Sequence, residues 1–103
     1  MINLGNLQIF DIENNQIEHI PPCIKHLPNL QRFFISGNKI PLSDLQSLNI
    51  IHLKMNDCGL TSLNNQDNVY LQELLMTENQ IMKIENDVFQ NMPNLASLHL
   101  DNN

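Results

Sequence analysis

Residues 71–81, Leu-Gln-Glu-Leu-Leu-Met-Thr-Glu-Asn-Gln-Ile, follow the pattern LxxLxLxxNxL, with apolar residues at positions 1, 4, 6 and 11 and an asparagine at position 9. The pattern occurs in five copies, whose first residues are 23, 20, 21 and 24 residues apart. Self-similarity at such a period is typical of a solenoid, in which each copy is one structural unit stacked on the next. The copies occupy residues 7–17, 30–40, 50–60, 71–81 and 95–103, and the fifth ends at its asparagine.

The alternation within each copy assigns its side chains to two faces of a strand. Successive strand residues point to opposite sides, so positions 4 and 6 share one face and positions 3, 5 and 7 share the other. Positions 4 and 6 are apolar in all five copies and are predicted to face the core. The inward pairs are Phe10/Ile12, Phe33/Ile35, Leu53/Met55, Leu74/Met76 and Leu98/Leu100.

Strands about 20 residues apart, each followed by a return segment, must run parallel. Because a strand is narrower than a return segment, the stack is expected to curve with its sheet on the concave side. The predicted fold is therefore an α/β solenoid, wound as a right-handed superhelix, with irregular or short helical segments on the convex side.

Position 9 is predicted to form a column of buried hydrogen-bonding groups. An asparagine amide offers donors and an acceptor to backbone groups that have no partner in the sheet where the chain turns inward. In the third copy Cys58 occupies this position, and a thiol can partly replace the amide. The asparagines of the column are Asn15, Asn38, Asn79 and Asn103.

The return segments are less regular. Two prolines exclude a regular helix or strand near Pro21 in the first copy. In the second copy, residues 43–46 are expected to cap and begin one helical turn, and residues 64–68 form the least regular loop. The fourth return segment passes through the apolar residues Ile84, Val88, Phe89 and Met92.

Size and charge narrow the classes of function. We interpret residues 1–103 as one domain that begins and ends within a copy. The net charge of −6 and the five scattered Lys and Arg residues argue against nucleic acid as a partner. No apolar run approaches the roughly 20 residues that cross a bilayer, and residues 1–5 lack the features of a signal peptide.

The residue types that carry chemistry do not converge. Cys23 and Cys58 lie two copies apart, beyond the reach of a disulfide, and are predicted to be free thiols. A nucleophilic Cys58 is the less favoured reading, because no activating base is indicated nearby. A metal site is also less favoured, because ligands must converge on one ion. No catalytic residue, cofactor or metal ligand is therefore predicted; the four histidines are His19, His26, His52 and His99.

The five copies resemble leucine-rich repeats, and the resemblance covers essentially the whole chain. The stretch at residues 84–95 is similar to the 24-residue, Phe-containing class common in extracellular animal receptors and secreted immune proteins. The copy with Ile20 and Pro21 resembles the shorter cytoplasmic class. Unlike many extracellular members, the chain shows no cysteine-rich caps. The resemblance implies that the concave face recognises a protein partner.

The predicted concave face holds positions 3, 5 and 7, with position 8 at its edge. Phe34 and Leu75, both at position 5, are predicted to be exposed and separated by Lys54. Central apolar residues surrounded by charge are the usual makeup of a binding hot spot. The alternative is a mixed polar surface that only keeps the chain soluble. The predicted partner-binding residues are Arg32, Phe34, Lys54, Glu73, Leu75 and Glu78.

The leading hypothesis is a non-enzymatic protein-binding module, part of a longer extracellular or secreted recognition protein. Two alternatives stay open: a substrate-selecting accessory domain of an intracellular kinase or ubiquitin ligase, and an intracellular scaffold, both of which place the chain in the cytoplasm. Because both terminal copies lack a covering layer, we also expect self-association through the uncapped ends.

Overall fold

The structure, a computed structural model, describes residues 5–46, 48–64 and 67–103. Five short strands form one parallel sheet and are adjacent in the order in which they occur along the chain. Each strand starts at position 3 of a copy and ends at position 5, so the sheet is one strand per copy. These strands are β1 Ile9–Asp11, β2 Arg32–Phe34, β3 His52–Lys54, β5 Glu73–Leu75 and β7 Ser97–His99.

The strands pair without any shift of register. Phe10 lies opposite Phe33, which lies opposite Leu53, and the same row continues through Leu74 and Leu98. A slip of one residue would turn every apolar side chain out of the core, so the apolar rows themselves hold this register. The parallel sheet of a leucine-rich repeat solenoid, predicted from the pattern, is confirmed.

The convex side combines short 3-10 helices with a second, smaller sheet. Strands β4 Ser62–Leu63 and β6 Lys83–Ile84 pair in parallel behind the third and fourth copies. The predicted short helical character of the return segments is therefore correct, and the small sheet is an addition that the pattern did not show. The 3-10 helices are Pro22–His26, Leu42–Leu45 and Val88–Asn91.

The expected cap of the second return segment is wrong. The 3-10 helix Leu42–Leu45 begins after Pro41 and has no side-chain cap. Asp44 instead accepts a hydrogen bond from the backbone N–H of Ile20 at 3.1 Å and lies 3.2 Å from Nδ1 of His19. The carboxylate therefore joins two neighbouring copies instead of capping its own helix.

The core is a continuous apolar stack along the middle of the solenoid. Phe33, Ile35, Met55 and Met76 are fully buried, as the alternation predicts. The inward pairs of the first and fifth copies, such as Phe10/Ile12, are only half-buried because each has a neighbouring layer on one side. Burial therefore falls from the middle of the stack toward both ends.

The same end effect leaves two apolar residues of the fourth return segment exposed. Ile84 is 38% exposed and Phe89 is 39% exposed, whereas Val88 and Met92 are buried. Leu63, the partner of Ile84 in the small sheet, is fully buried. A side chain in this row is buried only where a further layer covers it, and no described residue covers Ile84.

The asparagine column joins each copy to the one before it. Asn79 Oδ1 accepts the backbone N–H groups of Cys58 and Leu60 at 2.8 and 3.2 Å. Its Nδ2 donates to Met55 O and Met76 O at 3.1 and 3.0 Å. One buried amide therefore satisfies four main-chain groups in two layers, which explains the residue type at position 9. Asn38 and Asn103 repeat three of these contacts: each accepts the position 11 N–H of the preceding copy and donates to one carbonyl in each of two layers.

Candidate functional site

The open face of the five-stranded sheet brings the predicted partner-binding residues together. Position 5 forms a row in which Phe34, Lys54 and Leu75 are direct neighbours on three paired strands. Position 3 forms a parallel row in which Arg32, His52 and Glu73 are neighbours. Five of the six predicted residues therefore lie on a contiguous patch, and Glu78 stands at its edge.

The two apolar side chains of this patch are less accessible than the sequence predicts. Phe34 and Leu75 are half-buried, because each lies between in-register neighbours on a concave surface. The sequence-based prediction that Phe34 and Leu75 are exposed is therefore wrong. They still face away from the core, since Phe33 and Leu74 beside them are buried.

Lys54 is tied to the first copy by an ion pair. Its Nζ lies 3.4 Å from Oε2 of Glu13, which follows β1. Strand β2 separates the two residues in the sheet, so the lysine side chain reaches across that layer. The lysine side chain is 38% exposed and the glutamate side chain 20% exposed, so the pair is partly shielded from solvent.

A second contact joins the neighbours of the position 3 row. His52 Nδ1 lies 3.5 Å from Oε1 of Glu73, and both side chains are about one-third exposed. Arg32, the next residue of the row, is exposed and makes no ion pair with any described residue. Of the positive charges on this face, Arg32 is the one available to an incoming carboxylate.

Position 8, at the rim of the face, has a backbone feature that the sequence analysis missed. All five residues at this position have positive φ values between 52° and 76°. Gly, Asn and Asp tolerate this left-handed conformation, and their presence at four of the five positions was a signal that could have revealed it. The residues are Asn14, Gly37, Asp57, Glu78 and Asn102.

A second set of asparagines, also missed, lies where the first and the fourth return segments enter the next strand. Asn29 donates from Nδ2 to Gly5 O, and Asn94 donates from Nδ2 to Val69 O at 2.8 Å. Both belong to a Pro-Asn-Leu triplet, at residues 28–30 and 93–95. That recurring triplet was the available signal.

Elsewhere, the groups with potential for chemistry stay apart. Cys23 is exposed and Cys58 is buried, and neither forms a disulfide. Burial raises the pKa of the Cys58 thiol, and the backbone of Asn38 and Gly37 opposes this by hydrogen bonding. Within residues 5–46, 48–64 and 67–103, no three His, Cys, Asp or Glu side chains are placed to hold a metal ion. The described part of the chain contains no helix with the length and apolarity to cross a membrane.

Comparison with known proteins identifies relatives of the repeat pattern. The family profile described as "Leucine Rich repeats (2 copies)" matches residues 5–49. Chaoptin from Drosophila melanogaster is 28% identical over 102 residues, which represent 95% of this chain and 6% of chaoptin. The chain thus spans only a small part of the length of this relative. No solved structure matches the chain significantly.

Proposed function

The chain belongs to the leucine-rich repeat family, and from this premise we propose that it is a non-enzymatic module that binds a protein partner on its concave face. Repeat solenoids typically present an extended concave surface for binding. The observation that carries the proposal is the in-register row Phe34, Lys54 and Leu75 on the open face of three central strands.

The makeup of this row fits a contact that is apolar at its centre and charged around it. Phe34 and Leu75 are half-buried, so a partner that covers them completes their burial without ordering long flexible side chains. Arg32 and Glu78 are exposed at the periphery, and Glu73 lies beside His52. We propose these six residues as the partner contact, with Lys54 at its middle.

The compartment is part of the same proposal. The similarity to chaoptin over nearly the whole chain, together with the Phe-containing repeat at residues 84–95, favours a segment of a longer extracellular recognition protein. An accessory domain of an intracellular enzyme and an intracellular scaffold remain the competing candidates. A binding screen against proteins from both compartments separates these candidates.

The test is a binding screen with defined variants. A tetrameric form of the chain is applied to an array of secreted and cell-surface ectodomains and to an array of cytosolic proteins. Each hit is then measured by surface plasmon resonance against the wild type and the double variant Phe34→Ser, Leu75→Ser. Loss of a hot-spot side chain costs about 2 kcal/mol, so we expect affinity to fall by roughly 30-fold or more.

Two controls separate lost contact from lost fold. Met82→Ser removes a side chain that is 86% exposed and lies outside the five-stranded sheet, so it should leave binding unchanged. Arg32→Glu alters the same face at an exposed position without opening a cavity, and it should weaken binding. Full affinity of a double variant whose circular dichroism shows the native fold would move the site to the return segments.

A further inference from the structure

The concave face carries most of the negative charge of the chain. Positions 3, 5, 7 and 8 hold six acidic side chains and two Lys or Arg side chains, so this face has a net charge of −4, compared with −6 for the whole chain. A surface of one predominant sign attracts partners of the opposite sign. The acidic residues are Asp11, Glu13, Asp57, Glu73, Glu78 and Asp101, and the basic residues are Arg32 and Lys54.

Three of the carboxylates form an acidic margin along one side of the face, which we define as Asp57, Glu78 and Asp101. They lie on the third, fourth and fifth copies, at positions 7 and 8. The backbone N–H of Asp57 donates to Thr77 O at 3.0 Å, and that of Glu78 donates to Asp101 O at 3.0 Å, so the margin continues from layer to layer. All three side chains are exposed, and none forms an ion pair with a residue that the structure describes.

The residue type of Glu78 is not explained by the stability of the chain. Its φ is 58°, a conformation that Asn14 and Gly37 adopt more readily at the same position. Its carboxylate has no hydrogen-bond or ion-pair partner in the described part of the chain. An unfavourable backbone conformation with an unused charged group is a reason to infer a functional contact.

The lysine at the centre of the face does not oppose an apolar contact. Lys54 Nζ lies 3.4 Å from Glu13 Oε2, so its charge is already balanced within the molecule. Its aliphatic stem lies between Phe34 and Leu75, its in-register neighbours. Phe34, Lys54 and Leu75, which we call the central row, are therefore an apolar floor beside the acidic margin.

Arg32 lies at the opposite side of the face from the acidic margin. It is the first residue of β2, whereas position 8 lies three residues beyond the last residue of each strand. Layers of a sheet are about 4.8 Å apart, so Arg32 on the second copy and Glu78 on the fourth are separated by about 10 Å along the stack. The face is thus positive at one corner and negative along the far side.

The arrangement of the carboxylates indicates the kind of ligand. Groups on consecutive layers form a row and do not converge on a point. Among residues 5–46, 48–64 and 67–103, no three His, Cys, Asp or Glu side chains are placed to hold a metal ion. A row of carboxylates beside an apolar floor instead matches Lys or Arg side chains that are spaced along a polypeptide segment next to an apolar side chain.

We propose that the concave face binds an exposed segment of a partner protein in which an apolar side chain lies between basic and acidic residues; this inference rests on the proposed function. The apolar side chain covers the central row, and Lys or Arg side chains contact the acidic margin. An acidic side chain of the same segment contacts Arg32. Because the two sides of the face accept opposite charges, a segment docked the other way round is repelled, and the charges orient the partner.

The experiment uses a phage-displayed library of random 12-residue peptides, panned against the folded chain. An extended 12-residue peptide spans about 40 Å, which is enough to cross the face. Enriched peptides are synthesised, and their affinities are measured by fluorescence anisotropy. They should share an apolar residue with Lys or Arg on one side. The triple variant Asp57→Asn, Glu78→Gln, Asp101→Asn should bind them more weakly than the wild type by roughly 10-fold or more.

A second triple variant controls for overall charge. Glu18→Gln, Glu85→Gln, Asp87→Asn removes the same charge at exposed residues outside the five-stranded sheet and its acidic margin, and it should bind the peptides as the wild type does. Equal losses in the two triple variants would show attraction to net charge alone and would overturn the proposal. The absence of enriched peptides, or enriched peptides without Lys or Arg, would overturn it as well.

The double variant Phe34→Ser, Leu75→Ser distinguishes this inference from the proposed function. We expect it to lose the peptides together with the acidic-margin variant. If the double variant loses binding and the acidic-margin variant does not, the concave contact stands and the proposed partner chemistry is wrong. If a folded double variant retains full affinity, the peptides bind elsewhere, and both proposals fail.

Discussion

Lys54 and Glu13 form an ion pair at 3.4 Å although a whole strand, β2, lies between their layers. The lysine at the middle of the proposed contact is therefore held within the molecule before any partner arrives. A partner carboxylate has to compete with Glu13 for it, which favours partners whose charge is brought close by apolar contacts at Phe34 and Leu75.

The pair itself should contribute little to stability. Partly exposed ion pairs are typically worth about 0.2 to 1 kcal/mol and weaken with salt. We expect Glu13→Gln to lower the free energy of unfolding by less than about 1 kcal/mol, with a smaller loss in 1 M salt. Urea denaturation at both salt concentrations measures this. Glu18→Gln, at an exposed glutamate without an ion pair among the described residues, is the control, and an equal effect of the two changes would show that the pair is not formed.

Replacement of Asn79 should lower the free energy of unfolding more than replacement of most other polar residues. Its replacement by alanine leaves buried main-chain groups of two layers unpaired, at about 1 to 3 kcal/mol each. Asn49→Ala is the matched control, because Asn49 is exposed and makes no hydrogen bond with a described residue. Asn14 is unsuitable as a control, since its φ of 59° is itself unfavourable for alanine. Equal urea midpoints for the two variants would refute the role of the column.

Of the five residues at position 8, Glu78 is the residue type least suited to the left-handed backbone conformation. Its φ is 58°, and a glutamate lacks the short polar side chain that makes this conformation tolerable for asparagine. We expect Glu78→Asn to stabilise the chain by about 0.5 to 1 kcal/mol, measured as a rise in the urea midpoint. Glu85→Asn removes the same charge at an exposed residue outside this set, so a similar gain there would attribute the effect to charge alone.

The buried thiol of Cys58 should make stability depend on pH in the alkaline range. Burial raises its pKa above the ordinary value of 9.0. As pH rises past that value, the unfolded chain loses the thiol proton before the folded chain does, so the unfolded state is favoured. Stability should therefore fall above about pH 9, and it should fall less in Cys58→Ser. The exposed Cys23 provides the control variant Cys23→Ser, and identical pH profiles for all three proteins would contradict this account.

The uncovered layers at the two ends should drive self-association of the isolated chain. Ile84 and Phe89 are exposed at one end and Ile9 at the other, beside strand edges with unpaired main-chain groups. Light scattering should show species larger than the monomer at high concentration. Ile84→Lys with Phe89→Lys should shift the distribution to monomer, whereas Tyr70→Lys, at a side chain 56% exposed, should not. A strictly monomeric wild-type chain would exclude association through these ends.

The sheet was predictable from the sequence because each strand is defined by a local pattern that repeats. The apolar residues Phe33 and Ile35 identify the inward face, and the equal spacing to Leu53 and Met55 sets the register. The burial of a side chain that only a neighbouring copy can cover was harder to predict. Phe89 matches the pattern for an inward residue and is nevertheless exposed, since its burial depends on a neighbouring copy and not on its own segment.

The sequence predicted which residues share the open face of the sheet, but it did not predict the contacts between them. Alternation placed Phe34, Lys54 and Leu75 on one face, and the structure shows them side by side. The pairing of Lys54 with Glu13 depends on how a flexible side chain crosses a neighbouring strand, which no periodicity records. The lack of a hydrogen bond between the Ile40 main chain and the third copy could not be predicted either, since it depends on which backbone groups the amide of position 9 binds in other copies.

The replacement of asparagine by Cys58 also bears on how the molecule would respond to mechanical tension. In a linear stack each layer transmits load only to its neighbours, so the weakest junction determines where rupture begins. The junction of the second and third copies keeps its sheet contacts, such as Ile35 N to Lys54 O at 2.8 Å, but lacks a hydrogen bond to the Ile40 main chain. Among the inner junctions, this one therefore has the fewest main-chain hydrogen bonds to resist separation when the chain is pulled from its two ends.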